Sequence, residues 1–206
     1  MDLPRTSDIA IIGGGVSGLS VALPIAKTGR SVVVLDRGDP WSDASGANAG
    51  TLSIQVKRSE VLSLVHESIG RWQRMPEDYG VEVGFRQPGG IRVATTEVEC
   101  IQLEKAVEDQ KCKGIDVQML DREAVMQLAP WLGPSVKAGS FCVDDSYSNP
   151  LLAGNAMVAG ARDLGAVIAG GNCVTGIDYD KRSQGGRFSI KTENGDTIHA
   201  DHVVNA

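Results

Sequence analysis

A glycine-rich turn between two short apolar runs constrains this chain more than any other feature. Ile9, Ala10, Ile11 and Ile12 lead straight into Gly13-x-Gly15-x-x-Gly18, and Val32, Val33, Val34 and Leu35 follow later and end at Asp36. The first apolar run reads as a short buried strand, and the glycines then turn the chain into a helix starting near Ser17. Gly13 permits a tight turn, Gly15 lets the main chain approach a pyrophosphate, and Gly18 lets helix and strand pack closely. Gly14, Val16 and Ser17 complete the same turn. Unpaired N–H groups at the helix start and the positive end of its dipole favour phosphate without the lysine of a Walker loop. Gly29 ends the helix, and residues 31–35 form a second buried strand. Asp36 then stands about 20 residues past the glycines, where an acid bonds ribose hydroxyls and disfavours a 2′-phosphate. With 25 glycines among 206 residues, Gly-rich turns are common in this chain, so the ordered strand, turn, helix, strand and acid carry the prediction of a dinucleotide site. Pro24 lies inside the helix and predicts a kink or early fray, at a nominal cost of ~3 kcal/mol.

The rest of the composition narrows the class. A net charge of −6 and a pI near 5.1 argue against a general nucleic-acid surface. No run of about 18 apolar residues exists, which excludes a membrane-spanning helix. The first eight residues lack the basic start and apolar core of a signal peptide. Cys100, Cys112, Cys142 and Cys173 are scattered without a CxxC pair, as expected of reduced thiols in a cytoplasmic protein. His199 and His202 form an HxxH, but positions three apart on a strand face opposite ways, so no metal site is expected. His66 falls in a helical stretch with no visible partner, and no catalytic base is assigned.

A nicotinamide-binding domain would continue after Asp36 with another helix and strand. This chain instead enters residues 37–50, a stretch of small and polar residues suited to lie along an extended ligand. Residues 59–75 carry Val61, Leu62, Leu64, Val65, Ile69 and Trp72 at helical spacing, with Trp72 read as core packing. Strands are expected at 89–94, 116–120 and 138–143, with helices at 97–113 and from Asp121 to before Pro130. A polar turn at 144–150 leads into a helix over 151–164, and strands follow at 166–169, 174–179, 188–192 and 197–206. The predicted organisation is a nucleotide-binding domain over 1–84, an inserted segment over 85–145, and a return to the first domain over 146–206.

Four motifs together resemble the FAD-dependent oxidoreductases of the D-amino-acid oxidase and glycine or sarcosine oxidase group. They are Gly13-x-Gly15-x-x-Gly18 with Asp36-Arg37-Gly38, Ala44-Ser45-x-x-Asn48-Ala49-Gly50, Asp144-Asp-x-x-x-x-Pro150 before a helix, and Val203-Val-Asn-Ala206. The resemblance implies an α/β fold: a Rossmann-like FAD-binding domain with an inserted α+β substrate domain. It also implies that the chain corresponds to the N-terminal part of a longer protein, cut short at Ala206. In such enzymes the glycine loop (Gly13, Gly14, Gly15, Val16, Ser17, Gly18) holds the pyrophosphate. The acid of the second strand, often Glu in the family and Asp36 here, holds the adenosine ribose beside Arg37. Ala44, Ser45, Asn48, Ala49 and Gly50 would run beside pyrophosphate and ribityl, bringing Thr51 and Leu52 to the flavin ring. Val174 matches a backbone contact to adenine, and Ala206 closes the cofactor strand. Some relatives attach FAD through a histidine near this segment, but the first histidine here is His66, so FAD is expected to be held non-covalently.

The chemistry implied is oxidation of a C–N bond by hydride transfer from substrate carbon to flavin, giving an imine that water hydrolyses. The neutral amine supplies the electron density, so a dedicated base is not required. Arg86, Arg92 and Tyr147 are candidates for the substrate side, although surface salt bridging or packing is the stronger reading of each. The expected substrate is a small amine, an amino acid or an N-alkyl amino acid. Oxygen, a quinone or a partner protein can serve as electron acceptor, and a quinone leaves room for peripheral membrane association. Two other readings share the motifs: a flavoprotein of the same architecture acting on a hydroxy acid or glycerol phosphate, and a non-catalytic FAD-binding fragment.

Overall fold

A computed structural model describes residues 3–181 and 187–206. In chain order its elements are β1 (Thr6–Ile12), α1 (Val16–Lys27), β2 (Val32–Leu35), β3 (Thr51–Leu52), a 3-10 turn (Ser59–Val61) and α2 (Leu62–Tyr79). Next come β4 (Gly90–Ala94), α3 (Glu97–Cys112), β5 (Val117–Asp121), α4 (Arg122–Leu128), β6 (Ala138–Cys142), β7 (Ser146–Tyr147) and α5 (Pro150–Asp163). The chain finishes with β8 (Val167–Ala169), β9 (Val174–Asp180), β10 (Arg187–Thr192) and β11 (Thr197–Asn205).

Met1–Ala49, Arg74–Gly84 and Asn149–Ala206 form one compact unit. Its sheet has the order β8-β2-β1-β11-β10-β9, parallel from β8 to β11 and antiparallel across β10 and β9. A parallel sheet buried on both faces selects unbroken apolar strands, and all four residues of β2 are buried. Ala10, Val33, Leu35, Ile190, Ile198 and Ala200 pack together in one core cluster. Leu19, Ala22, Leu23 and Ala26 give α1 a buried stripe at helical spacing, and α1 packs on β1, β2 and α5. Thr28 caps that helix, and Gly29 at φ +80° turns the chain away from it. The predicted fray at Pro24 does not occur, since α1 continues to Lys27. The carbonyl that the proline leaves without a partner belongs to Ser20, which is exposed and open to water, while buried Leu23 and Ala26 hold the turn in place.

Gly50–Gln73 and Phe85–Ser148 form the second unit. Its three-stranded antiparallel sheet has the order β4-β6-β5 and packs with α3 and α4. A capping box between Thr96 and Glu99 starts α3, and the Asp121 side chain accepts from Ala124 N–H to start α4. The units divide the chain differently from the predicted 1–84, 85–145 and 146–206. Residues 50–73 fall in the second unit because β3 pairs with β7, and because Ile54, Leu62 and Ile69 share a core with Val107, Ile115, Val117 and Cys142. The return crossing lies between residues 148 and 149. The apolar spacing of residues 59–75 also splits in two. Leu62 and Ile69 are buried, whereas Leu64 is 69% exposed, Val61 is exposed, and Trp72 is partly buried instead of lying in a core.

Candidate functional site

The glycine turn is shaped by close approach of backbone, as a measure of added bulk shows. A β-carbon on Gly13, whose φ is +107°, would lie 2.3 Å from the Ala206 carbonyl oxygen. One on Gly18 would lie 1.9 Å from the Gly13 carbonyl oxygen and 3.3 Å from Ile11 Cγ2, so α1 crosses β1 at a distance only glycine allows. On Gly15 it would meet Ser45 Oγ at 2.9 Å. Register follows from three backbone bonds: Gly13 N–H donates to Leu35 O at 2.8 Å, Ala206 N–H to Ile12 O at 2.9 Å, and Trp41 N–H to Gly14 O at 3.0 Å.

The start of α1 lacks an ordinary cap. Its N-cap is Gly15, with no side-chain hydrogen bond and no acidic residue in the first turn. The helix dipole therefore presents positive charge with no carboxylate of its own turn against it. Ser45, from the loop after β2, supplies the missing acceptor: its Oγ takes the Val16 N–H at 3.0 Å. Asn48 closes that loop by donating to the carbonyls of Ala44 at 3.0 Å and Ser45 at 2.7 Å.

Asp36 has more partners than the sequence predicts. Its Oδ2 accepts from Gly14 N–H at 2.6 Å and its Oδ1 from Gly38 N–H at 2.9 Å, so the carboxylate ties β2 to the glycine turn. A carboxylate offers about four acceptor positions, which leaves room for a ribose hydroxyl as well. Asp36 N–H donates to Ala169 O and Asn172 N–H to Asp36 O, locking the same position between β8 and the next turn. Arg37, by contrast, turns outward: its guanidinium pairs with Asp43 at 3.0 Å with both side chains largely exposed, and that hydrogen bond raises its pKa.

The structure also brings in residues that sequence reasoning missed. Trp41 holds φ +70°, and its indole N–H donates to Pro150 O at 2.8 Å. A β-carbon on Gly154 in α5 would lie 2.2 Å from the Trp41 indole, so this helix glycine is cut away for the ring. Pro40 lies within 3.0 Å of where a Gly14 β-carbon would stand, and Gly170 makes room for the Gly38 carbonyl and Pro40. The usable signal was an isolated glycine inside an apolar helix. Val174 begins β9 opposite Thr192 and packs beside the core cluster of the first unit.

Gly50, Thr51 and Leu52 belong to the second unit. There β3 pairs Thr51 with Tyr147 and Leu52 with Ser146. Thr51, Leu52 and Ser53 line a cavity of about 250 Å³ together with Lys57, Val65 and Ile69. Arg86 and Tyr147 exchange both backbone hydrogen bonds at 2.9 Å. Arg92 lines a cleft of about 510 Å³ with Lys57, Arg58 and Gln110. His199 Nδ1 meets Ser189 Oγ at 2.9 Å, His202 and His66 are exposed, and among the described residues no group of three metal-ligating side chains forms. No helix among the described residues is long and apolar enough to cross a membrane.

The loop fits a dinucleotide pyrophosphate on this structure's own terms: a helix N-terminus with no acidic residue in its first turn, backbone where β-carbons cannot stand, and a carboxylate at the end of the second strand. Comparison with known proteins specifies which dinucleotide. The family model described as "FAD dependent oxidoreductase" matches residues 8–206. Mitochondrial dimethylglycine dehydrogenase of Mus musculus is 29% identical over 202 residues, covering 97% of this chain and 23% of that protein. Glycine oxidase of Geobacillus kaustophilus strain HTA426 is 31% identical over 206 positions, covering 96% of this chain and 53% of that protein. A crystal structure of glycine oxidase from Geobacillus kaustophilus superposes with a TM-score of 0.88 at 26% identity, covering 98% of this chain and 55% of that one. The chain thus spans between about a quarter and about half the length of these relatives. It belongs to the FAD-dependent oxidoreductase family of the D-amino-acid oxidase type, with the Rossmann-like α/β fold that family uses and FAD as its cofactor.

Proposed function

We propose that this chain is the FAD-binding part of an enzyme that oxidises the C–N bond of an amino acid or N-alkyl amino acid. The observation that carries the reading is the glycine turn itself, where α1 starts without a cap of its own and the backbone leaves no space for a β-carbon at Gly13 or Gly18. When bound, FAD supplies the two-electron acceptor that such an oxidation requires. Gly13 to Gly18 and the start of α1 would hold the pyrophosphate, and Asp36 the ribose, with no covalent bond to the chain. Ser45, Asn48, Ala49 and Gly50 would follow the cofactor outward, Thr51 and Leu52 would meet its ring, and Val174 and Ala206 would meet it through their backbone. Glycine oxidase and dimethylglycine dehydrogenase among the relatives support amines and N-methylated amines as the substrate class.

The span of about half the glycine oxidase length favours a second outcome, in which these 206 residues bind FAD and turn nothing over. A visible absorption titration of the chain with FAD, followed by anaerobic addition of amino acids, N-methyl amino acids, hydroxy acids and glycerol phosphate, separates the readings. Bleaching by one class of amine supports the proposal, and bleaching only by a hydroxy compound replaces it. Bound flavin without bleaching identifies a cofactor-binding part alone. Absence of bound flavin at saturating FAD overturns the assignment. Readmitting oxygen or a quinone to the reduced protein identifies the electron acceptor.

A further inference from the structure

The second unit buries a carboxylate that the proposed function does not use. Asp145 is 5% exposed, and four groups donate to it: Ser53 Oγ at 2.8 Å, Ile54 N–H at 2.6 Å, Gln55 N–H at 3.4 Å and Gln55 Nε2 at 2.8 Å. All are neutral, and among the described residues no cation pairs with it. Gln55, 3% exposed, continues the network: its Nε2 also donates to Gly90 O at 2.9 Å, and its Oε1 accepts from Ser140 Oγ at 2.8 Å. A β-carbon on Gly90 would sit 2.5 Å from the Asp145 carboxylate, so β4 begins with glycine to admit it. A buried charge met only by dipoles costs several kcal/mol of desolvation unless its hydrogen bonds are complete, and such a group is retained where it fixes a geometry.

What it fixes is residues 50–55. Ser148 N–H donates to Gly50 O at 2.9 Å, β7 pairs with β3, Ser146 Oγ donates to Leu52 O at 3.3 Å, and Asp145 then takes the N–H groups of residues 54 and 55. On its other side the same segment bonds to Arg86 and Gly89, with Gly89 N–H on Asp145 O at 3.1 Å. Four consecutive residues, 145–148, therefore contact every position from 50 to 55, and the Thr51 side chain is exposed.

We propose that Asp145 is a positioning residue for the flavin: it clamps the backbone of β3, whose Thr51 and Leu52 would meet the flavin ring. The inference rests on the assignment of Thr51 and Leu52 to the flavin made above. Asp145 acts through the Ser53 hydroxyl, the backbone N–H groups of Ile54 and Gln55, and the Gln55 amide. Because Gln55 Nε2 is a donor, Asp145→Asn sets donor against donor and loosens the strand. Gln55→Glu in the same chain lets the new carboxylate accept from the asparagine amide and from Ser140, but sets an acceptor against Gly90 O, so it restores the network only in part.

The test is a flavin absorption and FAD-affinity series on the chain: unsubstituted, D145N, Q55E/D145N and Ser53→Ala. We expect D145N to weaken FAD at least tenfold and to shift the near-450 nm flavin band, the double variant to recover part of both at most, and Ser53→Ala to move both in the same sense by less. Ser53→Ala removes one hydroxyl and keeps the inference testable if D145N does not fold. Normal flavin spectrum and affinity in D145N or Ser53→Ala, with only the apoprotein melting temperature lowered, would show a purely structural lock and overturn the inference. If the unsubstituted chain binds no FAD, the proposed function fails first and takes this inference with it.

Discussion

Gly18→Ala puts the shape of the cofactor turn to its most direct test. The added β-carbon would stand 1.9 Å from the Gly13 carbonyl oxygen and 3.1 Å from its carbon, both backbone atoms that no rotamer change can move. Real β-carbons essentially never come closer than 3.0 Å, so α1 must lift from β1 by about 1.1 Å at its first turn. Overpacking of this kind costs about 3 kcal/mol when neighbours cannot yield. At roughly 2–4 °C per kcal/mol for a chain of this size, the apoprotein should melt roughly 6–12 °C lower. The same lift carries the N–H groups of Ser17 and Gly18 off the phosphate position, so FAD affinity should fall at least tenfold beyond what lost stability explains. Differential scanning fluorimetry of the apoprotein and an FAD titration by flavin absorbance measure the two effects separately. Gly133→Ala is the control, since Gly133 is exposed and nothing stands within 4 Å of its added carbon. A Gly18→Ala chain that melts and binds FAD like the control would refute the argument from close backbone approach.

Four further outcomes are expected. Ser45→Ala leaves Val16 N–H without its acceptor at 3.0 Å and should lower the melting temperature by roughly 2–4 °C, the effect of an N-cap of about 1 kcal/mol, with weaker FAD binding in titration. Gly154→Ala should expel the Trp41 indole from its 2.2 Å niche, read as a red shift in tryptophan emission and a lower melting temperature. Cys142 is fully buried, and that burial pushes its thiol from the ordinary 9.0 up to about 11. The neutral thiol is the native form, so its contribution is complete below pH 9 and is lost as pH rises toward 11; denaturant midpoints should fall across that window, and fall less in Cys142→Ala. In native protein a thiol reagent at pH 8 should modify exposed Cys112 and spare Cys142.

What could be read from sequence divides along physical lines. The cofactor turn was legible because each step of it is a local demand: apolar residues for a strand buried on both faces, glycines for close backbone approach, an acid at a strand end. Helix limits were legible where stop signals are local, as at Gly29 and Gly114, both at φ +80°. The two-residue strands β3 and β7 were not, since two residues carry no periodicity and their pairing joins positions about 95 apart. The placement of Trp41 likewise depends on Gly154, a partner more than a hundred residues away. Asp36 shows a subtler loss: its acidity predicted a ribose contact, while its bonds to Gly14 and Gly38 depend on turn geometry that residue type alone does not give.

Residues 50–73 group with the second unit although their sequence reads as a continuation of the first. Small residues from 44 to 50 look like one continuous cofactor-following loop, and nothing in their composition marks a change of unit at Gly50. The change is made by hydrogen bonds that a distant segment supplies. Asp145 takes the backbone of Ile54 and Gln55, and Ser148 takes Gly50, so the strand is held by residues that follow it by more than ninety positions. Gly50, at φ +71°, is the bend between the two. A strand fixed this way can offer Thr51 and Leu52 to a ligand with little reorganisation, because the backbone that carries them is already paired before the ligand arrives. The second Asp of the Asp144-Asp145 pair, which in sequence reads as part of a polar turn before α5, is therefore the residue through which the return of the chain holds the backbone that follows β3.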